Sequence, residues 1–129
     1  ADTTGNAAPD QVGRVFAQAV RAWPGADGRP RLAFHGHDTY GMGVANCAAA
    51  WEAGCEVFDS AAGGLGGCPF APGATGNVAT EDVAWLFRRM GVATGVDWAA
   101  LLHAADYAAA IPYALPGGRM RGVTAARAA

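Results

Sequence analysis

The sequence predicts an α/β fold on a parallel sheet, and three observations carry the prediction. Short apolar stretches with strand character alternate with longer stretches of helical periodicity, as in successive βα units. Gly- and Pro-rich segments punctuate the alternation. With 129 residues, 52% hydrophobic and 16% charged, the chain has enough apolar material for one ordinary core. No internal repeat or second domain is visible.

The elements follow in order. From Pro9, the residues Val12, Val15, Phe16, Ala19, Val20 and Trp23 recur at i, i+3, i+4 spacing, with proline where a first helical turn accepts it. Residues 24–30 (PGADGRP) carry turn chemistry, and residues 31–35 (RLAFH) read as a short buried strand. A second helix is predicted over residues 43–53, with Val44, Cys47, Ala48 and Trp51 on one face and Gly54 as its stop. Residues 56–60 (EVFDS) form the next strand. Residues 61–77 (AAGGLGGCPFAPGATGN) are too rich in Gly and Pro for regular structure, and a loop this long in a compact domain is expected to belong to a site. Thr80 is placed to cap a third helix, with Glu81 and Asp82 at its positive end, Val83, Leu86, Phe87 and Met90 on its apolar face, and Gly91 ending it. A fourth helix follows Asp97. The domain is therefore expected over residues 1–115, with 116–129 a flexible, frayed tail.

Charge and cysteine content narrow the function. A net charge of −2 with no block of like charge gives no footprint for nucleic acid or a membrane surface as partner. No apolar run approaches the ~20 residues that span a bilayer, and the expected location is the cytoplasm. Three cysteines (Cys47, Cys55, Cys68) without CxxC spacing fit reduced thiols. The first Met is Met42, inside a motif, so a segment upstream of Ala1 is expected.

His35 and His37 lie in LAFHGHD, where the two-residue strand period sends both imidazoles to one face and Leu32 and Phe34 to the other. They read as a pair of metal ligands or as hydrogen-bonded interior histidines. Asp38 orients a ligand histidine or caps the next helix. Cys68, in GLGGCPF, is an acid or base at a loop tip or a small buried hydrophobe; Cys47 and Cys55 are packing residues. Asn77 lends an oxygen to a hard cation or sits in a left-handed turn. Asp2 and Thr3 are a strand end of the kind that lines a site, or a turn before the first helix.

Together, HGHDTYGMGVAN and VFDSAAGGLGGCPFAPGATGNVATED, in this order and spacing, resemble the 3-hydroxy-3-methylglutaryl-CoA lyases from ADTTG to about Ala105. The HxHD segment is shared with a wider superfamily that includes isopropylmalate and homocitrate synthases; the GLGGCP loop followed by GATGNVATED is more specific to the lyases. The resemblance implies the C-terminal portion of a (β/α)8 TIM barrel, incomplete in this chain, with a divalent metal (Mg²⁺ or Mn²⁺) held by His35, His37 and Asn77. It implies Cys68 and His35 as catalytic residues, and Asp2, Thr3, Gly66 and Gly67 in the substrate-site segments. The implied reaction cleaves 3-hydroxy-3-methylglutaryl-CoA, or a similar acyl-CoA, to acetyl-CoA and acetoacetate, and a homo-oligomer is possible. The pattern's first half, with an aspartate ligand and an enolate-stabilising arginine, is absent here, so turnover by this chain alone is not expected.

Overall fold

A computed structural model of the chain describes residues 2–23, 25, 32–67, 73 and 75–128. Its elements run α1 (Pro9–Ala22), β1 (Ala33–His35), α2 (Gly43–Glu52), β2 (Val57–Asp59), a 3₁₀ turn (Ala62–Gly64), α3 (Thr80–Arg89), α4 (Trp98–Ala109) and α5 (Met120–Ala128). The turn expected at residues 24–30 and the strand start at Arg31 lie outside the described residues apart from Gly25.

β1 and β2 pair in parallel, with Ala33 opposite Val57, Phe34 opposite Phe58 and His35 opposite Asp59. Strand alternation then sorts the side chains into two faces. Phe34 and Phe58 point to the helices; Ala33, His35, Val57 and Asp59 take the other side. The helix-side core gathers Val12, Cys47, Ala50, Cys55, Val78, Val83 and Phe87 around Phe34. Phe34 meets Phe16 and Phe58 edge to face at centroid distances of 5.7 and 6.5 Å, and Phe87 meets Trp51 and Phe58 at 5.4 and 4.8 Å. These separations are in the favourable range for aromatic pairs.

The helices begin and end for local reasons. Gln11 reaches back to the Ala8 amide at the start of α1, and Asp97 caps α4 by accepting from the Ala100 amide at 2.8 Å. The Cys55 amide donates to the Ala50 carbonyl and the Val92 amide to the Phe87 carbonyl, closing α2 and α3 with a six-residue reverse bond. α1 stops at Ala22, and two residues of its expected apolar stripe, Val15 within it and Trp23 just beyond, are exposed.

Two expectations are corrected. Thr80 does not cap α3: Ala79 is the cap residue, and the Thr80 hydroxyl instead meets the Ser60 hydroxyl at 2.9 Å. Glu81 and Asp82 stand in the first turn of α3 as expected, and both are buried. The segment expected to fray contains α5, because Asp82 accepts from the Arg119 and Met120 amides at 2.8–2.9 Å and so caps a helix 38 residues away. A cap supplied from a distant helix leaves no trace in the local composition of residues 116–129.

Candidate functional site

The site is built where the strands end. Beyond β1 the chain continues extended through Gly36 and His37, bridging Asp2 in parallel at Gly36 and Asn77 in antiparallel at His37. The Val78 amide donates to the Gly36 carbonyl and the Asp38 amide to the Gly76 carbonyl, at 3.0 and 3.1 Å. His37 and Asn77 are therefore a non-hydrogen-bonded antiparallel pair, the geometry in which facing side chains approach most closely on one face. The rings of His35 and His37 stand edge to face with centroids 5.0 Å apart.

Each imidazole is held through Nδ1. That of His37, a buried ring at 7% exposure, meets the Asp2 carbonyl at 3.0 Å, and that of His35 meets Asp59 Oδ2 at 2.7 Å. A carbonyl only accepts, so His37 carries its proton on Nδ1 and presents the Nε2 lone pair. His35 is oriented in the same sense by a carboxylate. Asp59 was missed from sequence: it lies 24 residues from His35, and the register of two strands, not spacing, sets it there.

Asn77 is held through its side-chain nitrogen and its backbone amide. Nδ2 donates to the Leu65 carbonyl at 2.8 Å, the backbone amide donates to the Gly66 carbonyl at 3.0 Å, and Oδ1 is buried without a hydrogen-bond partner. The donor end is identified by its carbonyl partner, so the free end is the oxygen. The left-handed turn suggested for Asn77 falls instead on Gly76, at φ 109°, where an added Cβ would collide with the Gly66 carbonyl.

The remaining candidates separate. Asp38 is a cap: Oδ1 accepts from the Gly43 amide at 2.7 Å. Asp2 spends its carboxylate on the Asn6 and Ala7 amides, a turn ahead of α1, while its backbone amide donates to the His35 carbonyl at the end of β1. Thr3, Gly66 and Gly67 are exposed. Cys68 lies outside the described residues. Cys47 and Cys55 are buried packing residues; desolvation pushes the Cys47 thiol up to about 12 and raises Cys55 too.

Among the described residues no three His, Cys, Asp or Glu side chains gather as a metal cluster; the candidate donors are two imidazoles and a carboxamide oxygen. An apolar groove of about 460 Å³ lies between β2 and α3, lined by Trp51, Phe58, Val83, Phe87 and Val92, apart from the histidines. No described helix is long and apolar enough to cross a membrane.

Comparison with known proteins places this arrangement. The HMGL-like family profile matches residues 1–107. The chain is 46% identical over 110 residues to a (R)-citramalyl-CoA lyase of Chloroflexus aurantiacus, spanning 85% of this chain and 33% of that protein. It is 49% identical over 96 residues to a hydroxymethylglutaryl-CoA lyase of Pseudomonas mevalonii, spanning 74% and 31%. The crystal structure of the Bacillus subtilis HMG-CoA lyase superposes with a TM-score of 0.86 at 39% identity, covering 96% of this chain and 40% of that one. An HMG-CoA lyase from Acinetobacter baumannii, solved in complex with coenzyme A and 3-methylmalate, superposes at 0.73 and 42% identity, covering 84% and 34%. The chain thus spans about a third of the length of the curated relatives it matches. With its parallel β1–β2 arc and its helices on one side, it is a portion of a TIM barrel, and it belongs to the HMGL-like family.

Proposed function

We propose that this chain supplies the histidine pair and the glycine-rich loop of a metal-dependent carbon–carbon lyase that cleaves 3-hydroxy-3-methylglutaryl-CoA to acetyl-CoA and acetoacetate. The observation that carries the reading is the buried, unpartnered Asn77 Oδ1 beside His37, with both histidines tied through Nδ1. An orphaned buried acceptor costs about 1–3 kcal/mol. A cation ligand at that oxygen removes the penalty, and neutral imidazoles with fixed tautomers suit the same ion. These residues fit Mg²⁺ or Mn²⁺, with His35, His37 and Asn77 as protein ligands and water or substrate oxygens completing the shell. A divalent cation so held polarises substrate oxygens and stabilises charge developing on them.

The chain's own residues do the rest. Asp59 and the Asp2 carbonyl keep the two rings in their binding orientation. A base removes the C3 hydroxyl proton, the C2–C3 bond breaks, and the acetyl-CoA enolate takes a proton at C2; we assign that proton to Cys68, while His35 serves the reaction as a ligand. The aspartate and arginine of the other barrel half complete the site, so the chain alone is expected to lack turnover: positioning can account for ~7 kcal/mol or more of a barrier. A second reading, a lyase for a different 3-hydroxyacyl-CoA, is favoured by the 46% identity to a citramalyl-CoA lyase.

The test assays acetoacetate release from 3-hydroxy-3-methylglutaryl-CoA, and consumption of citramalyl-CoA, by this chain with Mg²⁺ and by a full-length protein containing it. Cleavage by the full-length protein, lost on Cys68→Ala or His35→Ala, is the expected result. A full-length protein that cleaves neither thioester overturns the reading, and full-rate turnover by this chain alone overturns the requirement for the other half. Competitive alkylation of the folded chain should label Cys68 ahead of Cys47 and Cys55, whose raised thiols hold almost no thiolate near neutral pH.

A further inference from the structure

We propose that Asn77 couples metal binding to the stem of the glycine-rich loop, so that occupancy of one stabilises the other; this rests on the metal reading above. One carboxamide serves two sites. Its oxygen is the orphaned acceptor on the His37 side, and its Nδ2 and backbone amide hold the Leu65 and Gly66 carbonyls at 2.8 and 3.0 Å. Residues 65 and 66 open the segment that carries Cys68, and Asn77 closes it, so these two bonds tie the two ends of the loop together.

The amide is conjugated. Withdrawing electron density at Oδ1 makes the Nδ2 hydrogens better donors, and fixing the oxygen fixes the plane in which Nδ2 meets Leu65. Coupling of this kind is reciprocal: whatever the cation adds to the stem, an intact stem adds to cation affinity by the same factor.

Gly66 supplies a lever. Its φ is 96°, and a Cβ there would stand 2.7 Å from Asn77 Nδ2, so Gly66→Ala pushes the carboxamide without altering any donor atom. Gly73, in the same loop at φ 79°, has no atom of the described residues within 4 Å of a Cβ; Gly73→Ala imposes a similar backbone penalty without meeting Asn77 and serves as the control.

The experiment titrates the full chain with Mn²⁺ by calorimetry and follows exchange of the Asn77 backbone amide with and without the ion. Wild type is expected to bind Mn²⁺ and to gain protection at that amide. Gly66→Ala should weaken binding about 5-fold or more, the lower end of ordinary site-to-site coupling, while Gly73→Ala stays within twofold of wild type. Asn77→Asp loses the donor to Leu65 but gains a carboxylate charge at the ligand that offsets the lost coupling, so it should bind Mn²⁺ no more weakly than wild type yet gain no protection. Equal weakening by Gly66→Ala and Gly73→Ala overturns the coupling, as does full Mn²⁺-induced protection in Asn77→Asp. If wild type binds no Mn²⁺, the metal reading itself fails and the coupling with it.

Discussion

The two faces of the β1–β2 pair differ in what they are built from and in what holds them. On the helix side, Phe34 is 3% exposed and sits in a continuous cluster of aromatic and aliphatic contacts. On the other side, His35 and Asp59 meet through one polar bond and Val57 is 54% exposed. Apolar packing is concentrated on the first face and the proposed ligands on the second, an arrangement in which the candidate site is carried by a layer that does not depend on it. Each face therefore makes its own demand on substitution.

The largest expected effect tests the helix side. Phe34→Ala removes the ring at the centre of the cluster and should cost about 3–5 kcal/mol of stability by urea denaturation. A loss below ~1 kcal/mol would mean that the aromatic cluster is not the stabilising layer.

A smaller effect sharpens the other face. Asp59→Asn exchanges the carboxylate that orients His35 for a neutral group while preserving shape. It should weaken Mn²⁺ binding about 10-fold, the lower end for such orienting partners because the pair is partly exposed, and leave the melting temperature within ~2 °C. A large fall in melting temperature would show that the pair stabilises the fold and that the division between the faces is false.

The smallest effect concerns a residue on neither face. Glu81 is fully buried with Oε2 accepting from the Gly63 amide at 3.0 Å and Oε1 unpartnered, and burial raises its carboxyl above the ordinary 4.5. The folded state then holds this proton more tightly than the unfolded state does. Its contribution to stability is present below pH 4.5 and is lost as pH rises through the folded value. Glu81→Gln keeps an acceptor for Gly63 and abolishes the titration, so it should flatten that decline and change stability near neutral pH by about 1 kcal/mol or less. Denaturant midpoints for both proteins between pH 4 and 8 measure it; an unchanged pH slope would remove Glu81 as its source.

Local order was legible in the sequence wherever neighbours in the chain decide it. The 3.6-residue period marked α1 through α4 because each helix buries one stripe, and the period of two put His35 and His37 on one side before any fold was known. The resemblance carried by HGHD and GLGGCP added the family. Tertiary structure alone decided which residues meet across the chain. Asn77 comes to His37 over 40 residues through an antiparallel bridge, Asp59 to His35 through strand register, and Asp82 to the start of α5 across a helix packing. The physical reason is that periodicity and capping follow from backbone geometry over one or two turns, whereas register and docking follow from the burial of whole faces, which distributes the determining contacts over every element that packs.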